Sequence, residues 1–107
     1  MILTDQVSRQ VQDIINHAIF DTIYDNLLDE IQTLLHYEYI PTTTQQDFLY
    51  GYLYSCVLTA VFDSVRYDYG EQFTHNNKGE ISKGIAVHAP FIKQKVFEYL
   101  ETRKALA

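Results

Sequence analysis

Apolar residues recur at three- and four-residue steps through most of the 107-residue chain, and this places it in the all-α class. Only 4 Gly and 2 Pro interrupt the pattern, and an apolar share of 47% against 21% charged residues supplies enough hydrophobic area for a folded core. The expected architecture is one helical domain over residues 1–107, a compact bundle of about four helices. An irregular stretch or a short β-hairpin is expected near residues 70–85.

The first stretch carries Val7, Val11, Ile15, Ile19, Ile23, Leu27, Ile31 and Leu35, one apolar residue at every fourth position. At about 100° per residue, a strict four-residue step drifts by about 40°, so the two halves of this stripe face opposite ways on a straight rod. A break or sharp kink near Phe20 to Thr22 resolves the conflict, with Thr22 and Asp25 as a capping-box signal for a second helix. The alternative is a continuous helix whose halves pack on different bodies, as in an intertwined dimer. The second helix should fade by Glu38, because Pro41 disfavours an α conformation at Ile40.

Thr42, Thr43 and Thr44 form the linker, and Thr44 with Asp47 opens a third helix from about Gln45 to Arg66 or beyond, with Gly70 as its stop. Its main stripe is Phe48, Leu49, Tyr52, Leu53, Cys56, Val57, Ala60 and Val61. Tyr50, Tyr54, Leu58 and Phe62 make a second stripe. A helix apolar nearly all round must be covered on most sides. Gly51 and Ser55, one turn apart, leave room for another backbone. From Tyr67 to Lys83 the periodicity dissolves around the turn cluster Asn76, Asn77, Lys78 and Gly79, and the flanks Glu71 to His75 and Glu80 to Lys83 are the candidate hairpin strands. Pro90 opens the last helix, which runs to about Lys104 with Ile92, Val96, Tyr99 and Leu100 on one face.

Charge is distributed unevenly along the chain. Up to Asn77, eleven acids stand against Arg9 and Arg66, a net of −9 without a single lysine. From Lys78 onward six bases stand against three acids, a net of +3, and the whole chain carries −6. An acidic body argues against sequence-independent adhesion to nucleic acid or to an anionic membrane. Asp13, Asp21, Asp25 and Asp29, with His17, recur every four residues. This row reads as a solvated face or as a docking surface for a basic partner.

Chemistry-bearing motifs are sparse. The glycines stand alone, without the nested spacing that cradles phosphate. Asp13 with His17, and His17 with Asp21, are helical pairs able to face one ion, but two or three ligands on one helix do not make a metal site. His36, His75 and His88 have no nucleophile at an informative spacing, so no catalytic residue, metal or cofactor is assigned. Cys56 is the sole cysteine and lies inside an apolar run, where it reads as a small hydrophobe. The longest apolar run, Phe48 to Phe62, is shorter than the roughly 20 residues of a membrane span, and the N-terminus has no signal-peptide pattern; a cytoplasmic location is expected.

Nine tyrosines fall largely in the clusters Tyr37/Tyr39, Tyr50/Tyr52/Tyr54 and Tyr67/Tyr69, and rings two positions apart on a helix point to different sides. Tyrosine is enriched at interface hot spots. The leading expectation is a non-catalytic protein–protein interaction domain, a self-associating small acidic accessory or regulatory protein that forms homodimers through Tyr50, Tyr54, Leu58 and Phe62. One alternative is a phage- or plasmid-type inhibitor whose row Asp13, Asp21, Asp25 and Asp29 mimics nucleic acid and blocks a nucleic-acid-binding protein. Another is a dimeric DNA-binding regulator using Lys93, Lys95, Arg103 and Lys104 of the last helix.

Overall fold

Six helices make up the computed structural model, which describes residues 5–24, 27–36 and 44–106. They are α1 (Asp5–Tyr24), α2 (Leu27–His36), α3 (Gln45–Tyr69), α4 (Glu71–Asn76), α5 (Lys78–Ala86) and α6 (Ala89–Leu106). No strand occurs among the described residues, and the all-α expectation holds. The central element is α3, which packs chiefly against α1 and α6.

A four-residue period organises the whole core. Val7, Val11, Ile15 and Ile19 of α1 meet Leu49, Leu53, Val57, Val61 and Val65 of α3, and Ile81, Ile85, Ile92 and Val96 complete the cluster. These are the i±4n ridges of the helix surface. The expected division of the first stretch into two helices is found, with the break displaced from Phe20–Thr22: α1 continues through Tyr24 and α2 starts at Leu27. As far as Ile19 the stripe stays buried, because a stripe that drifts by about 40° per step remains covered when the facing helix carries a stripe with the same drift. Ile19, near the end of the stripe, is as inaccessible as Val7 at its start. The chain leaves α1 only after Tyr24, and Asp25, the other half of the expected capping box, lies outside the described residues, as do Tyr37, Tyr39 and the Thr42–Thr43 part of the linker.

The hairpin expected near residues 70–85 is replaced by α4 and α5. Phe73, Asn77, Ile81 and Ile85 continue the four-residue period through the turn-like cluster, and burying that face on α3 and α1 outweighs the turn propensity of Asn76 to Gly79. Asn77 bridges the two helices: its N–H donates to the Phe73 carbonyl at 3.0 Å, and its own carbonyl accepts from the Ile81 N–H at 2.9 Å. The true reversal is at Gly70, with φ 92° and ψ 168°. Its N–H donates to the Arg66 carbonyl at 2.8 Å, and its carbonyl accepts from the Thr74 hydroxyl at 2.8 Å.

Among the described residues the fully buried core is built from Val, Ile and Leu alone. Every Tyr and Phe whose side chain is described lies half-buried or exposed around it. By length and composition α3 is also apolar enough to cross a membrane, yet its Leu49–Val65 stripe is the innermost part of the bundle. The molecule is elongated, 46 × 23 × 21 Å, with a radius of gyration of 15.4 Å, where about 13 Å is usual for a compact chain of this length.

Candidate interaction surface

The outer side of α3 is set by the drift of its inner side. With Leu49, Leu53, Val57, Val61 and Val65 turned to the core, Asp47, Gly51, Ser55, Thr59 and Asp63 form the solvent-facing line. Tyr50, Tyr54, Leu58 and Phe62 flank that line, each half-buried with one edge packed on the core cluster. The second stripe is thus neither hidden nor free, but a shelf of apolar edges beside small residues.

The rings of Tyr50 and Tyr54 lie 5.8 Å apart at 54°, a tilted contact. Burial pushes the Tyr54 phenol above its ordinary value, and the neighbouring Tyr50 phenol adds to the shift. Between these rings and Leu58 lies a shallow depression of about 320 Å³ floored by Gly51 and Ser55 and closed by Ala89 of α6. Farther along the α3/α6 seam, Gln46, Pro90, Lys93, Gln94 and Phe97 line a second depression of about 310 Å³. Phe97, 45% exposed, lines this depression together with Pro90, so α6 contributes a ring to the α3/α6 seam. The α6 half of this surface is not legible in the sequence, because Ile92 and Val96 mark only the inward face and no local signal pairs residue 89 with residue 54.

The opposite flank of α3 faces α2. Burial raises the Tyr52 phenol above its ordinary value, with the Cys56 thiol, which shares a hydrogen bond with it, and then Glu30 adding to the shift. Cys56 is half-buried and free of any disulfide. In the third tyrosine cluster Tyr67 is 91% exposed, whereas Tyr69 packs on Phe73 with ring centroids 5.0 Å apart.

The aspartate row does not form one continuous exposed face. Asp13 and Asp21 are exposed, as is His17, and Asp25 lies outside the described residues. Asp29 is half-buried and accepts a hydrogen bond from the Tyr99 hydroxyl, which ties α2 to α6. Beside Asp13, Gln10 donates to the Ser64 hydroxyl at 3.0 Å and to the Asp68 carboxylate at 2.6 Å, a polar clamp between α1 and α3. Among the described residues no three side chains of His, Cys, Asp or Glu gather as a metal group. His75 is exposed and His88 half-buried, and the side chain of His36 lies outside the described part.

On α6, Lys95 pairs with Glu98 at 3.3 Å and sits 5.3 Å from the Phe91 ring. The side chains of Arg103 and Lys104 lie outside the described part, so Lys93 and Lys95 are the members of the basic set that are placed, both on the outer side of α6. Compared with protein-family models, with curated proteins and with solved structures, the chain finds no significant match in any of the three.

Proposed function

We propose that the chain is a non-catalytic protein–protein interaction domain, a small acidic accessory protein that self-associates through the outer face of α3. The observation that carries this reading is the segregation of side chains: the fully buried core is aliphatic, and the described aromatic rings all lie in the shell around it. Aromatic rings supply much of the energy of protein interfaces, because each covers a large area at little conformational cost. Tyr50, Tyr54, Leu58 and Phe62 concentrate that material on one side of one helix, with Phe97 across the seam.

Docking of a basic partner on the aspartate row has less in its favour, since Asp29 is already engaged by Tyr99 and the described exposed members are Asp13 and Asp21.

Light scattering on the purified chain tests the proposal. The wild type should show twice the 12.5 kDa monomer mass at micromolar concentration, and Phe62→Asp or Tyr54→Asp should return it to monomer with the helical content kept. A wild type that stays monomeric at high micromolar concentration overturns it.

A further inference from the structure

We propose that α4 is a flap that comes off the bundle as one unit between Gly70 and Asn77 while the other helices stay folded, exposing the Tyr69 ring and the part of the core on which Phe73 rests. The first argument is what α4 turns inward. The two buried polar residues among the described ones, Thr74 and Asn77, both lie here, one within α4 and the other at its C-terminal cap. Glu71, Gln72, His75 and Asn76 are exposed, and Phe73, the apolar residue of this helix, is half-buried. None of the six residues of α4 belongs to the fully buried aliphatic cluster, to which α1, α3, α5 and α6 all contribute. Lifting α4 therefore gives up far less apolar contact than lifting any of those four helices.

The second argument is the state of Asn77. It stands at an apolar register position, four residues from Phe73 and four from Ile81, yet it carries an amide. Its Nδ2 donates to the Phe73 carbonyl at 2.8 Å, whereas its Oδ1 is buried and meets no protein donor. Closing the flap strips that oxygen of solvent without replacing the bond, so the closed position carries a penalty that opening relieves. Both ends of α4 suit the motion. Gly70, at φ 92° and ψ 168°, is free to turn where another residue would be held, and the exposed Arg66–Glu71 pair at 3.0 Å tethers only the pivot. At the far end Asn77, with φ −112° and ψ 14°, already departs from helical geometry, while Ile81 and Ile85 hold α5 in the core.

Amide hydrogen exchange of the wild-type chain, followed residue by residue by NMR at neutral pH and at several non-denaturing urea concentrations, reads the opening. A six-residue helix does not persist in water off its support, so the Thr74 and Asn77 amides, bonded to the Gly70 and Phe73 carbonyls, exchange whenever the flap lifts. Both should share one opening constant, roughly a hundredfold or more above that of Leu53 and Val57 in the middle of α3, and it should not depend on urea. Asn77→Leu, which removes the unpaired oxygen, should lower that constant about three- to fivefold. Thr74 and Asn77 amides that exchange as slowly as those of Leu53 and Val57, with the same rise in urea, would overturn the flap, as would an Asn77→Leu chain whose α4 opens as readily as wild type. Should Asn77→Leu fail to fold, the wild-type pattern is by itself sufficient to support or overturn the proposal.

Discussion

Alanine in place of glycine should have opposite consequences at Gly70 and Gly51, although the space around both is open. In each case an added Cβ meets nothing within 4 Å, so packing predicts no difference between them. The backbone does. Gly70 joins α3 to α4 at φ 92° and ψ 168°, a region that is essentially glycine-only and costs an L-residue about 1–3 kcal/mol. Relieving that strain would pull apart the bonds the residue makes with Arg66 and Thr74, and with them the entry of α4 onto α3. Gly51 sits in helical geometry, where alanine gains about 0.5–1 kcal/mol by lowering the entropy of the unfolded chain and raising helix propensity. For a domain of this size, 1 kcal/mol corresponds to roughly 4 °C or more. Gly70→Ala should therefore melt about 4–12 °C below wild type, and Gly51→Ala about 2–4 °C above it. Far-ultraviolet circular dichroism melts at low micromolar concentration, below the dimerisation range, read both shifts. A Gly70→Ala variant as stable as wild type, or shifts of the same sign at the two positions, would refute the backbone argument.

Asn77 is 3% exposed, and its side-chain carbonyl oxygen has no hydrogen-bond partner. Asn77→Leu should stay within about 1 kcal/mol of wild type, whereas Asn77→Asp, which buries a charge at the same spot, should lose about 3 kcal/mol or more in urea unfolding at pH 7; equal stability of the Asp variant would sink this. Tyr99→Phe removes the hydroxyl that Asp29 accepts from and should lower stability by about 1–2 kcal/mol, with faster amide exchange in α2 than elsewhere. Uniform loss of protection across all helices would count against a local clamp. The Tyr52 and Tyr54 phenols, both raised above their ordinary value chiefly by burial, hold their protons more tightly folded than unfolded. Their contribution is fully present below about pH 10, and stability should fall as pH rises through and above that value. Denaturant midpoints from pH 9 to 11 should decline less steeply in Tyr52→Phe and Tyr54→Phe; identical slopes would contradict the burial.

Much of the fold was legible because helix signals are local. The Thr44 to Gly70 limits of α3, the start of α6 beside Pro90 and the inward Ile92 and Val96 all follow from neighbours a turn away. The failures came where distant partners decide. Thr22 with Asp25 reads as a helix start, whereas α1 runs to Tyr24 and the second helix starts at Leu27, so the division was legible and its position was not. Asn76 to Gly79 reads as a hairpin turn, but Phe73, Asn77, Ile81 and Ile85 gain more from one buried face than two strands would gain in isolation.

Through its four-residue apolar period and the stop at Gly70, the sequence determined that this chain is helical and that α3 carries its longest uncharged apolar run, Phe48 to Phe62. Tertiary structure alone decided that Asp29 turns toward Tyr99 while Asp13 and Asp21 stay in solvent, and that Ala89 closes a depression over Gly51. The physical reason is range. A turn of helix is fixed by side chains three and four residues apart, whereas the burial of a given edge depends on which remote helix arrives beside it.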